Sequence, residues 1–185
     1  MAYRNGTYIA FHANDTPNPT ESDMKYYNTL RMWKVRDDSD FSFINSHEKT
    51  GSVRDTSQKE TLKRSLRERL NNSKNMILII GNTTNQDTDW VPFEIEHAVD
   101  VCKIPIIAAY PAYTSILAPA QLSNWWPQAL AERINNGTAN VIHIPFKQTP
   151  ITSAVSQFDF NSYPLGGGLG YYSRETYISW GLISS

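Results

Sequence analysis

Met76-Ile77-Leu78-Ile79-Ile80-Gly81 carries the strongest fold signal in the chain. Five consecutive apolar residues leave no polar face, as expected for a central parallel strand buried on both sides. Gly81 ends the run, and the polar segment Asn82 to Asp89 reads as a loop. Trp90 to Cys102 then reads as a helix. Its stripe Val91, Ile95, Ala98 and Cys102 has helical spacing, and Pro92 falls in the first turn, where its missing N–H costs nothing. Ile104 to Tyr110 is a second strand of the same buried kind.

Outward from this unit, strands and helices keep alternating. Upstream, Thr7 to Phe11 reads as a strand and Ser22 to Trp33 as a helix with Met24, Tyr27 and Leu30 on one face. Phe41 to Ile44 is a short strand. Ser57-Gln58-Lys59-Glu60 fits a capping box opening a helix marked by Leu62, Leu66 and Leu70. Downstream, a helix is expected from Ala120 to Asn135, stopped by Asn136-Gly137, and then a strand from Ala139 to Ile144. Five strands alternating with helices predict an α/β fold, a flavodoxin-like parallel sheet of order 2-1-3-4-5 with helices on both faces. In such sheets ligands bind beyond the C-terminal strand ends, here after Phe11, Ile44, Ile80 and Tyr110. The domain is expected over residues 1–146. Residues 147–185 hold seven aromatics and five of the nine glycines, and are expected to fold onto it as an aromatic-rich C-terminal extension.

Composition narrows the function. With 17 basic and 18 acidic residues among 185, the net charge of −1 does not suit a protein that binds nucleic acid by counterion release. No apolar run approaches the roughly 20 residues of a membrane span. The start shows no apolar leader, and Cys102 is the single cysteine, so a reducing, cytoplasmic setting is expected. Charge is segregated all the same. Arg54 to Lys74 nets +4, and Thr84 to Asp100 nets −5 with no Lys or Arg. A solvated helix face explains the basic stretch; opposed patches would also suit contact between copies of the chain.

Several motifs carry no chemistry. Gly166-Gly167-Gly168-Leu169-Gly170 lacks both the GK[ST] of a phosphate loop and the strand-to-helix context of a dinucleotide fingerprint, so a turn is expected. His12, His47, His97 and His143 are scattered, and the lone Glu94/His97 pair lacks a matching second pair, so no metal is expected. Trp90 and Glu94 differ: four residues apart, they share a helix face that opens just after the central strand. A carboxylate beside an indole can serve a cationic transition state; a solvated Glu on an amphipathic helix is the plain alternative.

Four segments together resemble bacterial TIR-like domains, those of Thoeris anti-phage defence systems above all. They are Tyr8-Ile9-Ala10-Phe11-His12 with Asp15, Ile77 to Thr84, Trp90-Val91-Pro92-Phe93-Glu94-Ile95, and Lys103 to Ile107. The resemblance spans about residues 5 to 145. It implies a flavodoxin-like domain that cleaves NAD+, as substrate and with no cofactor, at the nicotinamide–ribose bond. It further implies a cyclic ADP-ribose-type signal that activates a separate effector upon phage infection. Glu94 falls on the catalytic glutamate. Phe11 and His12 fall on the loop bordering the NAD+ site and Asn45 and Ser46 on the loop covering it; Trp90 and Phe11 would supply apolar walls, and Asn82 is a further expected substrate contact. Self-assembly into a homo-oligomer is also implied. Two other readings stay open: a non-catalytic TIR scaffold acting by homotypic association, and an enzyme like the nucleoside deoxyribosyltransferases.

Overall fold

The computed structural model describes residues 4–13, 23–37, 43–44 and 56–184. In chain order the elements are β1 (Gly6–Ala10), α1 (Met24–Asp37), β2 (Phe43–Ile44), α2 (Thr56–Asn71), β3 (Ser73–Ile79), α3 (Trp90–Glu96), β4 (Ile106–Tyr110), α4 (Gln128–Asn135), β5 (Val141–Pro145), α5 (Gln148–Gln157), β6 (Gly170–Tyr171) and α6 (Arg174–Ser179). The sheet order is β2-β1-β3-β4-β5-β6, and every pair is parallel. The first five strands stand in the expected order 2-1-3-4-5. The sixth, two residues long, extends the sheet beside Ile142 and His143. A glycine-rich dipeptide strand shows no two-residue periodicity, so nothing in the sequence pattern announces it.

Right-handed crossovers sort the first four helices. Chain direction across the sheet reverses between β1 and β3, which sends α1 to one face and α2, α3 and α4 to the other. Two cores result. Tyr8, Met76, Leu78, Ile106 and Ala108 face Leu66, Leu70, Val91, Ile95 and Leu130. Ile9, Phe11, Ile77, Ile79 and Ile107 face Met24, Tyr27 and Leu30 of α1 and Ile151, Ala154 and Val155 of α5. Strict alternation along β1 and β3 divides one run of apolar residues between two cores.

Two expected helices are altered. The single helix from Trp90 to Cys102 is α-helical only to Glu96, then widens to π-type turns from His97 to Cys102 and ends at left-handed Lys103. The expected helix from Ala120 to Asn135 is split. A 3₁₀ segment runs from Pro119 to Trp125, Trp126 is extended, and α4 begins after Pro127. Proline disfavours helical geometry in the residue before it and cannot donate into the preceding turn. The helix with the capping box starts at Thr56, one residue ahead of the expected cap Ser57.

Buried polar groups join distant segments. Asn75 of β3 accepts from Thr7 Oγ1 at 2.8 Å and donates to the carbonyls of Val155 and Phe158 at 3.2 and 2.7 Å. The tail is tied in by a second set. Trp126 Nε1–H donates to Tyr110 Oη at 2.8 Å, and Tyr110 Oη–H donates to His143 Nδ1 at 2.8 Å. His143 Nε2–H donates to the Gly168 carbonyl at 2.9 Å. That last acceptor can only accept, which fixes the imidazole tautomer and the direction of the whole relay. Burial lowers the His143 pKa to about 4, so the ring is neutral. Beyond it, the rings of Tyr172, Tyr177 and Trp180 meet edge-to-face.

Candidate active site

The loop after β3 delivers α3. Asp87 Oδ1 accepts from the backbone N–H groups of Asp89 and Trp90, both at 2.9 Å, and so satisfies donors at the helix start that have no partner within the helix. Val91, Ile95 and Ala98 then turn to the sheet, as their spacing requires. Glu94 flanks this stripe, about 60° from Val91 around the helix, and is 0% exposed. The face Trp90-Glu94-His97 is therefore not an open one: Trp90 and His97 are half-buried, and Glu94 is covered. Its Oε1 accepts a hydrogen bond of 2.5 Å from Tyr8 Oη on β1. Burial, with the neighbouring Glu94 carboxyl adding to it, pushes the Tyr8 phenol well above its usual pKa, so the proton stays on tyrosine.

The other expected site residues are distributed around this pair. Trp90 has Lys59 Nζ 5.7 Å from its ring centre, and Lys63 and Arg67 lie 5.0 and 5.2 Å from that of Phe93. Lys59 and Lys63 also pair with Asp89. The basic and acidic stretches thus meet within one chain, across the α2–α3 contact. Phe11 is buried on the opposite face of the sheet, stacked on Tyr27 at 5.4 Å. It does not form one wall of a site with Trp90, because side chains of adjacent strand positions point to opposite faces. Asn45 and Ser46 lie outside the described residues; the chain leaves β2 at Ile44, the residue in register with Tyr8.

Asn82 belongs to a polar pocket at the C-terminal ends of β3 and β4, and His12 reaches it only through Thr83. The pocket encloses ≈ 280 Å³ and is lined by the starts of the loops after β3 and β4, the start of α1, and Trp125. Asn82 and Thr83 are on its wall, and His12 Nδ1 hydrogen-bonds Thr83 Oγ1 at 3.1 Å. Asp23, missed in the sequence, is buried there. Its Oδ2 accepts from Thr84 Oγ1 at 3.0 Å, and Thr84 Oγ1 accepts from Gly81 N–H at 2.8 Å. A side chain at Gly81 would collide with the Asp23 carboxyl and force it to shift. Burial raises the Asp23 pKa against the opposing pull of Thr84, His12 and Lys25. Glu94 is not on this pocket's wall. Among the described residues no three His, Cys, Asp or Glu side chains gather as metal ligands.

The site is thus a buried carboxyl held from β1, with a separate polar cleft at the strand ends where this class of sheet binds ligands. The model of one family, described as the TIR-like domain of the Thoeris protein ThsB, matches residues 8–116. The chain belongs to that family. The matched span runs from Tyr8 through Glu94 to Ile116, so the Tyr8–Glu94 contact lies wholly within the ThsB TIR-like domain. It also includes Asp23 and Gly81 to Thr84, whereas Trp125 and His143 lie beyond it. Among the described residues no helix is long and apolar enough to cross a membrane.

Proposed function

We propose that this ThsB-family TIR domain cleaves NAD+ at the nicotinamide–ribose bond, with Glu94 as its catalytic carboxylate. The observation that carries the reading is a glutamate buried completely beside the central strands and held by a strand tyrosine. A charge-bearing group in such a place needs a reason beyond stability, since a packed apolar residue would cost less there.

The chemistry suits a single carboxylate. The C1′–N bond breaks with its electron pair passing to nicotinamide, which leaves neutral and needs no proton. The ribosyl centre becomes cationic, as in glycoside cleavage. Glu94 stabilises that cation electrostatically, more strongly than it could in water. Water attack, with loss of one proton, gives ADP-ribose; attack by the adenosine part of the same molecule gives a cyclic product, favoured by its high effective concentration. Glu94 is 0% exposed, so substrate entry has to uncover it. Within a Thoeris system the cyclic product serves as the signal to a separate effector, and self-assembly of the chain and a phage trigger set when it is made, in the cytoplasm.

Glu94→Gln tests this. Glutamine keeps an acceptor for Tyr8 and nearly the same volume, so the fold stays, while the negative charge is lost. Mass spectrometry of nucleotides from phage-infected cells is expected to show nicotinamide and a cyclic ADP-ribose isomer with the wild type and neither with the variant. Wild-type levels from Glu94→Gln would overturn the assignment. Absence of any NAD+ product from both would favour a scaffold.

A further inference from the structure

Tyr8 sits mid-strand in β1, between β2 and β3, where its ring serves as core. A buried tyrosine also needs a partner for its hydroxyl. That partner is Glu94, 86 residues away, and both side chains are 0% exposed. Because the phenol keeps its proton, the bond has one direction, from Tyr8 to Oε1. The anchor is firm on one side only. β1 is paired along both edges, whereas α3 is seven residues long and widens to π-type turns directly after Glu96.

We propose that Tyr8 is a positioning residue for Glu94: its hydroxyl fixes the carboxylate in one orientation and favours its ionised form, so that the charge faces the ribosyl cation. This rests on the function proposed above. Arg69 from α2 is the cation whose charge bears on Tyr8, lowering the phenol pKa against the larger effect of burial. A donor fixed on a carboxylate stabilises the charged form and lowers its pKa. Without the donor, Glu94 takes up a proton at higher pH.

Tyr8→Phe removes the hydroxyl and keeps the ring. Nicotinamide release across a pH series, run beside wild type and Glu94→Gln, is expected to show kcat lowered about 10- to 100-fold, the worth of a hydrogen bond to a charged group. KM should stay within about threefold, and the acid limb should move to higher pH. A role confined to packing would leave that limb in place. An unchanged profile, or faster turnover, overturns the proposal. If Glu94→Gln also turns over normally, the function reading falls with it; if only Tyr8→Phe is unaffected, the Tyr8 role alone falls. A second measurement needs no turnover. The loss of melting temperature caused by Tyr8→Phe is expected to shrink by about half or more in the Glu94→Gln background, because a neutral amide is the weaker acceptor. Equal losses in both backgrounds overturn the pairing.

Discussion

Tyr8 on β1 and Tyr110 on β4 are both buried, both on the α2–α3–α4 face of the sheet, and both donate their hydroxyl to a titratable group. Their acceptors separate them. Tyr110 donates to a neutral imidazole inside a relay in which each named donor meets an acceptor and the last is a backbone carbonyl. Such a network carries no charge, and it fastens the tail to the domain. Tyr8 donates to a carboxyl group, whose ionised form is costly to bury. One tyrosine ties the tail to the domain; the other holds the carboxyl to which the proposed function assigns the chemistry. A buried hydroxyl is read by the charge of what it touches.

Breaking each side separately tests that contrast. The largest effect belongs to Glu94→Gln, expected to slow nicotinamide release at least about 1000-fold, or about 4 kcal/mol in the barrier, with little change in melting temperature. On the other side, acid should act on stability instead. His143 has a folded pKa of about 4, below its unfolded value near 6.5, so the unfolded chain binds the extra proton between those limits. Its contribution is complete above pH 6.5 and is lost as pH falls toward 4, by about 3 kcal/mol in all. Urea titrations between pH 7.5 and 4.5 should show that slope, and His143→Gln should flatten it. Tyr110→Phe comes next, with a cost of about 2 kcal/mol for leaving Trp126 Nε1–H and His143 Nδ1 without their shared partner. It should leave kcat within about twofold, since the Tyr110 hydroxyl bonds to His143 and Trp126 and not to Glu94. A tenfold loss of kcat would erase the distinction between the two tyrosines.

The central unit was legible because burial on both faces leaves a continuous apolar run, and β3 and β4 stand where Met76 to Ile80 and Ile104 to Tyr110 placed them. The break before α4 was legible too, in Trp126-Pro127, and helical spacing alone obscured it. Separation of Phe11 from Trp90 follows from right-handed crossovers on either side of the β1/β3 reversal, once strand order is known. What no local pattern contains is the pairing of residues far apart in the chain. Tyr8 reads as core and Glu94 as a helix surface until the fold brings them within 2.5 Å. Asp23 looks like a helix-start residue, yet its carboxyl serves Thr84, 61 positions on. The pocket's Trp125 depends on the 3₁₀ turn that the proline imposes. Local periodicity places elements; it does not name partners across them.

The smallest effect concerns the charged stretches. Lys59 and Lys63 pair with Asp89, and Lys59, Lys63 and Arg67 lie over the rings of Trp90 and Phe93. The side chains of Lys59 and Asp89 are 36% and 41% exposed, so water and salt screen them, and such a pair contributes about 0–1 kcal/mol. Asp89→Asn should therefore lower the melting temperature by no more than about 3 °C, and less at about 0.5 M salt, where the Debye length falls to a few ångströms. Because part of these charges already meets inside one chain, less of them is left to steer a second copy. Sizing in low and high salt should then give the same oligomeric state. Dissociation by salt, with the melting temperature unmoved, would instead place the basic and acidic stretches at a contact between chains. The α2–α3 contact within the chain would then be secondary to it.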